Sequence, residues 1–278
     1  MKLKDLYSSN KTIISFEVFP PKEDETNLLQ EIKKLTKYNP AFCSLTYGAG
    51  GSENKSISLI QKIQNEGINV VPHFTCINSN KNTITRQIKE LQNLNIENIL
   101  ALRGDIPENT NLDTIEIKHA NELVRLIKEK TNLSIGVAGY PEGHIESKSI
   151  KSDIEYLKQK VDDGSDAIFT QLFFDNNTFF NFVKKCRNTG INIPIIAGIM
   201  PILSKKQVDR MVSLANVSVP EIVNEKLETL NSKDLIEFGI DYSTEQCKNL
   251  IDNKVEGLHF FSLNKAYSTS KILDNLNL

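Results

Sequence analysis

SIGVAGYPEGHIESKSIKSDIEYLKQKVDDGSDAIFT, residues 134–170, contains the unit from which the whole chain is built. It opens on a short apolar run at 134–139, passes Tyr140 and His144, enters an amphipathic stretch at 148–163 and closes on a second apolar run at 166–170. Short β-rich runs separated by longer segments of helical period are the signature of parallel strands joined by helical crossovers. The alternation continues in both directions. Further strand candidates lie at 12–19, 41–46, 69–75 and 98–102 on one side and at 193–198 and 257–262 on the other. Between them, amphipathic stretches near 24–38, 54–66, 82–93, 114–130, 177–189, 204–215 and 264–277 carry apolar residues three or four apart, as in Leu123, Leu126 and Ile127. Polar residues such as Asn54 and Ser204 are placed to cap helix starts.

Eight such units of about 35 residues, with no Gly-, Ser- or Pro-rich linker, predict a single (β/α)8 barrel spanning residues 1–278. Residues 219–252 read as an extra helical pair before the last strand, the largest departure from a simple repeat. An open doubly wound sheet is the alternative. Against a dinucleotide fold of that kind, the first strand is followed by PPKEDE rather than G-x-G-x-x-G, and the GAGG at 48–51 has the wrong spacing. Neither a Walker A sequence nor G-x-S-x-G is present.

Composition narrows the function classes. With 39% hydrophobic and 24% charged residues the chain can form a sizeable core. Thirty-three basic against 35 acidic residues leave a net charge of −2, which supplies no field to attract nucleic acid. No stretch reaches the roughly 18 apolar residues of a membrane span, and MKLKDLYSSN lacks the apolar centre of a signal peptide, so a cytoplasmic protein is expected. Cys43, Cys76, Cys186 and Cys247 are scattered, without C-x-x-C or zinc-ligand spacing, and read as buried thiols rather than metal ligands or disulfide partners.

In a barrel, chemistry gathers where the strands finish. Glu17 lies in SFEVFPPK with apolar neighbours on both sides, and Pro20-Pro21 stops the strand. Pointing into the pore, Glu17 is expected to have a raised pKa, as a proton donor needs; the other reading is an ion pair with a Lys or Arg across the barrel. ALRGD at 101–105 delivers a cation and a carboxylate through a glycine turn, which can serve opposite ends of a polar ligand or form a surface ion pair. Thr46 and Tyr47, His73, Tyr140 and His144, Gln171, Asn264 and Lys265 occupy the other strand ends, and Asp153 and Lys160, seven apart, share one side of their helix. His119, His259 and the phenylalanines at 173–174, 179–180 and 260–261 are first read as packing or surface residues.

Taken together, SFEVFPPK at 15–22, SLTYGAGG at 44–51, VPHFTC at 71–76, ALRGD at 101–105, YPEGH at 140–144, TQLFFD at 170–175, GIMPI at 198–202 and HFFSLNKA at 259–266 resemble methylenetetrahydrofolate reductase of the short bacterial type. The resemblance runs in order from about residue 12 to 276. It implies a barrel with non-covalent FAD, reduced by NADH or NADPH, that converts methylenetetrahydrofolate to methyltetrahydrofolate and so supplies methyl groups for methionine synthesis. It implies a homo-oligomer, dimer or tetramer, and a chain of this length leaves no room for the carboxyl-terminal regulatory domain of longer relatives.

Position by position, the resemblance makes Glu17 the catalytic acid and Asp105 the carboxylate beside flavin and pterin. Thr46, Tyr47, Ala49, His73, Arg103, Gly104, Asp105, Ala120, Tyr140, His144, Asp153 and Lys160 match FAD contacts, with Arg103 and Lys160 suited to the pyrophosphate and Asp153 to ribose hydroxyls. Asp105, Gln171, Gln207 and Lys265 match substrate contacts, and Thr46 also matches a nicotinamide contact. No metal is implied. Three positions depart from the pattern: Lys265 stands where an Arg is familiar, Met211 replaces an aromatic, and Gln159 stands where a basic residue can occur near FAD. The competing readings are a folate- or pterin-binding barrel that transfers a methyl group without flavin, and a non-catalytic barrel acting through its surface.

Overall fold

Alternation within the strands decides which side chains enter the pore. The structure, a computed structural model, describes residues 1–8, 11–21, 25–46, 53–77, 79–106 and 115–278, and for 53–56 the backbone alone. Its eight parallel strands close into one barrel in sequence order. They are β1 (Ile13–Val18), β2 (Phe42–Thr46), β3 (Val70–Thr75), β4 (Asn98–Leu102), β5 (Ser134–Gly139), β6 (Ala167–Leu172), β7 (Ile195–Ile199) and β8 (Gly257–Phe261). In β1, Ile14, Phe16 and Val18 join the large core between sheet and helices. A period of two then turns Ser15 and Glu17 inward. The same rule sends Cys43 and Leu45 of β2, and Leu258 and Phe260 of β8, to the outer core, which leaves Ser44 and His259 to the pore.

A single helical turn, α1 (Leu3–Leu6), precedes the barrel, and the outer layer begins with α2 (Glu25–Leu35), α3 (Glu53–Asn65), α4 (Lys81–Asn93), α5 (Ala120–Lys130) and α6 (Ile150–Asp162). It continues with α7 (Asn176–Asn188), α8 (Lys205–Ala215), α9 (Glu221–Thr229), α10 (Ser232–Asp252) and α11 (Tyr267–Asn275). The caps are chemical: Ser149 and Ser152 form a capping box on α6, and Ser204 Oγ accepts from Gln207 N at 3.2 Å on α8. Asn54, expected to cap α3, lies instead inside its first turn, since the helix already begins at Glu53. Helix α5 starts at Ala120, six residues after the sequence reading placed it, with His119 as its N-cap residue.

Two features were not expected in detail. The pore beneath the strand ends is filled by Phe42, Val71, Leu100, Ala167, Phe169 and Ile196, and Leu3 and Tyr7 from the amino-terminal segment complete this inner cluster. The α1 turn is docked through Asn98, whose Oδ1 accepts from Leu3 N at 2.8 Å and whose Nδ2 donates to Met1 O at 3.0 Å. The extra helical pair corresponds to α9 and α10. A separate apolar cluster joins Val223, Leu227 and Leu235 of this pair to Val208, Met200, Ile202, Leu172 and Phe174, so the inserted helices wall the barrel above β6 and β7. The four cysteines are free and buried, and Phe173, Phe174, Phe179 and Phe260 are core. Among the described residues no helix is long and apolar enough to cross a membrane.

The β6–β7 ladder shifts register between Phe169 and Leu172, and Gly198 N there donates to Thr170 Oγ1 at 2.9 Å. A Cβ at Gly198 would stand 2.3 Å from the Thr170 carbonyl oxygen and 2.8 Å from the Phe261 ring. Since backbone cannot yield as a side-chain tip can, Gly198→Ala is expected to lower stability by about 2–3 kcal/mol, read as a shift in the urea midpoint at unchanged slope.

Candidate active site

The carboxyl-terminal ends of β1, β2, β3 and β8 bring one polar layer together in the pore. Parallel register sets Glu17 beside Ser44 and Phe261, Ser15 beside His259, and Thr46 beside His73. Glu17 Oε2 lies 3.4 Å from His73 Nε2 and 3.8 Å from His259 Nε2. Ser44 Oγ sits between the imidazoles, 3.1 Å from His73 Nε2 and 3.2 Å from His259 Nε2, and Ser15 Oγ is 2.7 Å from His259 Nδ1. Phe42, Phe169 and Phe261 surround the His259 ring.

This layer corrects one expectation. Among the described residues the ion-pair partners of Glu17 are histidines, not a Lys or Arg. Burial pushes the Glu17 carboxyl up, but the charge of a protonated His73, with the hydrogen bond and charge of His259, outweighs it and holds the group below the ordinary carboxylate range. Burial pushes His73 down, against the pull of Glu17. The raised pKa expected from desolvation alone therefore does not describe the open pore, where the Glu17 side chain is still 24% exposed. His259 was read as packing. It does pack, but it also belongs to the layer, a role legible only once β1 and β8 are known to be neighbours.

A cavity of about 530 Å³ opens beyond β4 and β5. It gathers Arg103, Ala120, Tyr140, His144, Asp153 and Lys160 from the sequence reading, and adds His119, Glu146 and the departing Gln159. Gly104 takes φ +88°, and a Cβ there would meet Ile77 at 2.7 Å, so the ALRGD turn requires glycine. The exposed Asp105 follows it. Tyr140 and His144 meet edge-to-face with centroids 4.6 Å apart. Asp153 is buried and accepts from Ser147 Oγ at 3.0 Å, while Lys160 Nζ donates to Ala138 O at 2.6 Å. Burial pushes the Lys160 ammonium down to about 8, with Asp153 opposing.

A second cavity, of about 560 Å³, lies over β7 and β8 and holds Gln207 and Lys265 together with Phe261 and the exposed Tyr267. Gln207 is engaged at both ends: its Oε1 accepts from Leu203 N at 2.7 Å and its Nε2 donates to Pro201 O at 3.0 Å. Gln171 sits at the β6 irregularity, its Oε1 accepting from Leu172 N at 3.0 Å. Asn264 bridges the ends of β1 and β8, accepting from Phe19 N at 3.0 Å and donating to Phe19 O at 2.7 Å. Glu31 of α2 accepts from Ala266 N at 2.7 Å and faces Lys265, which fixes the loop that carries this cation. Met211 is half-buried in the apolar cluster under α8 rather than in this cavity. Tyr47 and Ala49, with the glycines at 48, 50 and 51, lie outside the described residues.

Two cavities on the strand-end rim, with a carboxylate in the pore, suit a large polar ligand on one side and a second ligand on the other. The family model described as methylenetetrahydrofolate reductase matches residues 2–277. The chain belongs to the methylenetetrahydrofolate reductase family. It is 34% identical over 273 residues to 5,10-methylenetetrahydrofolate reductase of Escherichia coli, covering 95% of this chain and 90% of that protein. It is 37% identical over 273 residues to the enzyme of the same name from Buchnera aphidicola, covering 95% and 91%. Against methylenetetrahydrofolate reductase (NADH) 1 of Arabidopsis thaliana it is 37% identical over 298 residues, which take in the whole of this chain and 50% of the relative. The chain thus spans about half the length of the plant relatives and nine-tenths of the bacterial ones. Solved structures that share the fold at low identity include 2,3-dimethylmalate lyase, with TM-score 0.54, 8% identity and coverage of 99% of this chain and 84% of that one. Tryptophan synthase from Mycobacterium tuberculosis gives 0.53, 9%, 100% and 99%.

The Lys160 environment sets a pH dependence for members of this family built this way. An anion in the cavity favours the charged ammonium and raises its pKa, so affinity is full below about 8 and falls as pH rises through that value, by up to tenfold per unit. Calorimetric titration between pH 6.5 and 9.5 with ADP-ribose, whose bridging diphosphate keeps its charge throughout, should show this fall, and Lys160→Gln should bind weakly and without it.

Proposed function

We propose that the chain is an FAD-dependent methylenetetrahydrofolate reductase that takes electrons from NADH or NADPH, NADH being the favoured donor. The observation that carries this reading is Glu17, a carboxyl group in a barrel pore framed by two histidines, in a barrel whose strand ends also line two cavities. The donor set of the cavity beyond β4 and β5 fits FAD. Arg103 and Lys160 provide two cations for a diphosphate, Asp153 a buried acceptor for ribose hydroxyls, and Tyr140 with His144 an aromatic wall. A bound FAD supplies hydride chemistry between nicotinamide and folate.

The chain's own residues do the rest. Glu17 holds a proton for N10 of the folate, whose protonation opens the five-membered ring to an iminium cation at the exocyclic methylene. Asp105 offers negative charge to that cation. Lys265 and Gln207 hold the folate tail, Lys265 as a point charge rather than a two-pronged grip, with Gln171 on the pterin. Thr46, at the pore edge beside His73, serves folate and nicotinamide in turn, which gives a ping-pong order.

The lowered pKa of Glu17 in the open pore is compatible with this role. Burial is the largest influence on the group, and a ring that covers the pore removes the exposure that remains. The carboxyl then rises and takes up a proton as substrate binds. Isothermal titration of methyltetrahydrofolate in buffers of different ionisation enthalpy should report proton uptake at pH 7.5, and Glu17→Gln should abolish it.

Single-turnover absorbance at the flavin band tests the reaction itself. In Glu17→Gln, reduction by NADH should persist within about threefold while reoxidation by methylenetetrahydrofolate falls by about 10²- to 10⁴-fold. Equal loss of both halves would remove Glu17 from the acid role. A protein that neither contains FAD nor takes it up would favour a flavin-free folate-binding barrel.

A further inference from the structure

The Arg103 guanidinium, one of the two cations of the FAD cavity, is already taken. Its Nη1 and Nη2 donate to Glu146 Oε2 and Oε1 at 2.5 and 2.9 Å, a two-pronged carboxylate grip, and its Nε donates to Gly104 O at 3.3 Å. The guanidinium is 23% exposed, turned into the cavity, whereas Glu146 is 53% exposed at its lip. Arg103 holds the Glu146 carboxyl below the ordinary carboxylate range, so the pair is charged on both sides at neutral pH.

The donors in that grip cannot also hold a diphosphate, and a carboxylate left beside a diphosphate would repel it. A diphosphate that takes the same edge of Arg103 therefore has to displace the carboxylate. The backbone under Glu146 is pinned, since Glu146 N donates to His144 Nδ1 at 3.2 Å, Ser147 N to His144 O at 2.8 Å and Gly143 N to Tyr140 O at 3.0 Å. The long, half-exposed side chain is the free part. It can rotate into water without disturbing the loop.

We propose that Glu146 is a specificity-determining residue of this cavity: its carboxylate occupies Arg103 in place of a phosphate and yields only to a ligand that carries a diphosphate. The contact sets a threshold. ADP and FAD displace the carboxylate because two linked phosphates meet Arg103 and Lys160 together, whereas riboflavin, without phosphate, has nothing to offer Arg103. The proposal rests on the FAD reading of the cavity, but its central exchange concerns the diphosphate alone.

The test is calorimetric titration of the full-length chain, cleared of bound nucleotide, with ADP, FAD and riboflavin. Glu146→Gln should tighten ADP and FAD by a common factor of about three to ten, as expected for release of a partly exposed ion pair, and leave riboflavin unchanged. Glu146→Asp keeps the charge but is one methylene too short for the two-pronged grip, and should follow Glu146→Gln. Equal or weaker ADP binding by Glu146→Gln, or wild-type behaviour of Glu146→Asp, would overturn the proposal. If FAD fails to bind the wild-type chain while ADP still binds tighter to Glu146→Gln, the FAD reading falls and the exchange at Arg103 stands. If FAD binds wild type and Glu146→Gln alike, the reverse holds.

Discussion

Placing a carboxylate inside a barrel lined with apolar side chains costs several kcal/mol unless hydrogen-bond donors or positive charge meet it. The site is organised around how that cost is offset at Glu17. His73 and His259 flank the carboxylate, and Ser44 and Ser15 hold the imidazoles in turn. The supporting groups come from β1, β2, β3 and β8, so the polar layer exists only if the sheet closes with β1 beside β8. Barrel closure and the environment of the acid are one constraint seen at two scales.

Much of the fold was legible because strand and crossover differ in period. The eight strand readings fall within two residues of those observed, since each apolar run is bounded by polar or turn residues. What escaped depended on contacts distant in sequence. The α1 segment is one helical turn, too short for any period to reveal, and its place comes from Leu3 and Tyr7 filling the pore floor. His259 looks like any inward strand residue until its neighbour across the closure, Ser15, is known. Glu146 carries no local sign of its role because its partner stands 43 residues earlier.

The candidate site divides along the same line. Arg103, Tyr140, His144, Asp153 and Lys160 come from two successive strand ends and one crossover helix, so a unit-by-unit reading gathers them into one cavity. The acidity of Glu17 could not be read that way. Sequence neighbours Phe16 and Val18 suggested desolvation alone, but they face the helices, and the groups that set the charge arrive from other strands. On the opposite side, Lys265 is positioned by Glu31 and by the Asn264 bridge to Phe19, which makes the last loop of the barrel an extension of the first.

The plugged base of the barrel has a kinetic corollary. With Leu3, Tyr7, Phe42 and Phe169 packed beneath the histidines, Glu17 can be approached only from above. A vessel with one doorway cannot pass reactants through in a stream. Whatever reaches the carboxyl group enters and leaves by the same mouth, so the stopper at the far end fixes the route of every ligand that meets Glu17.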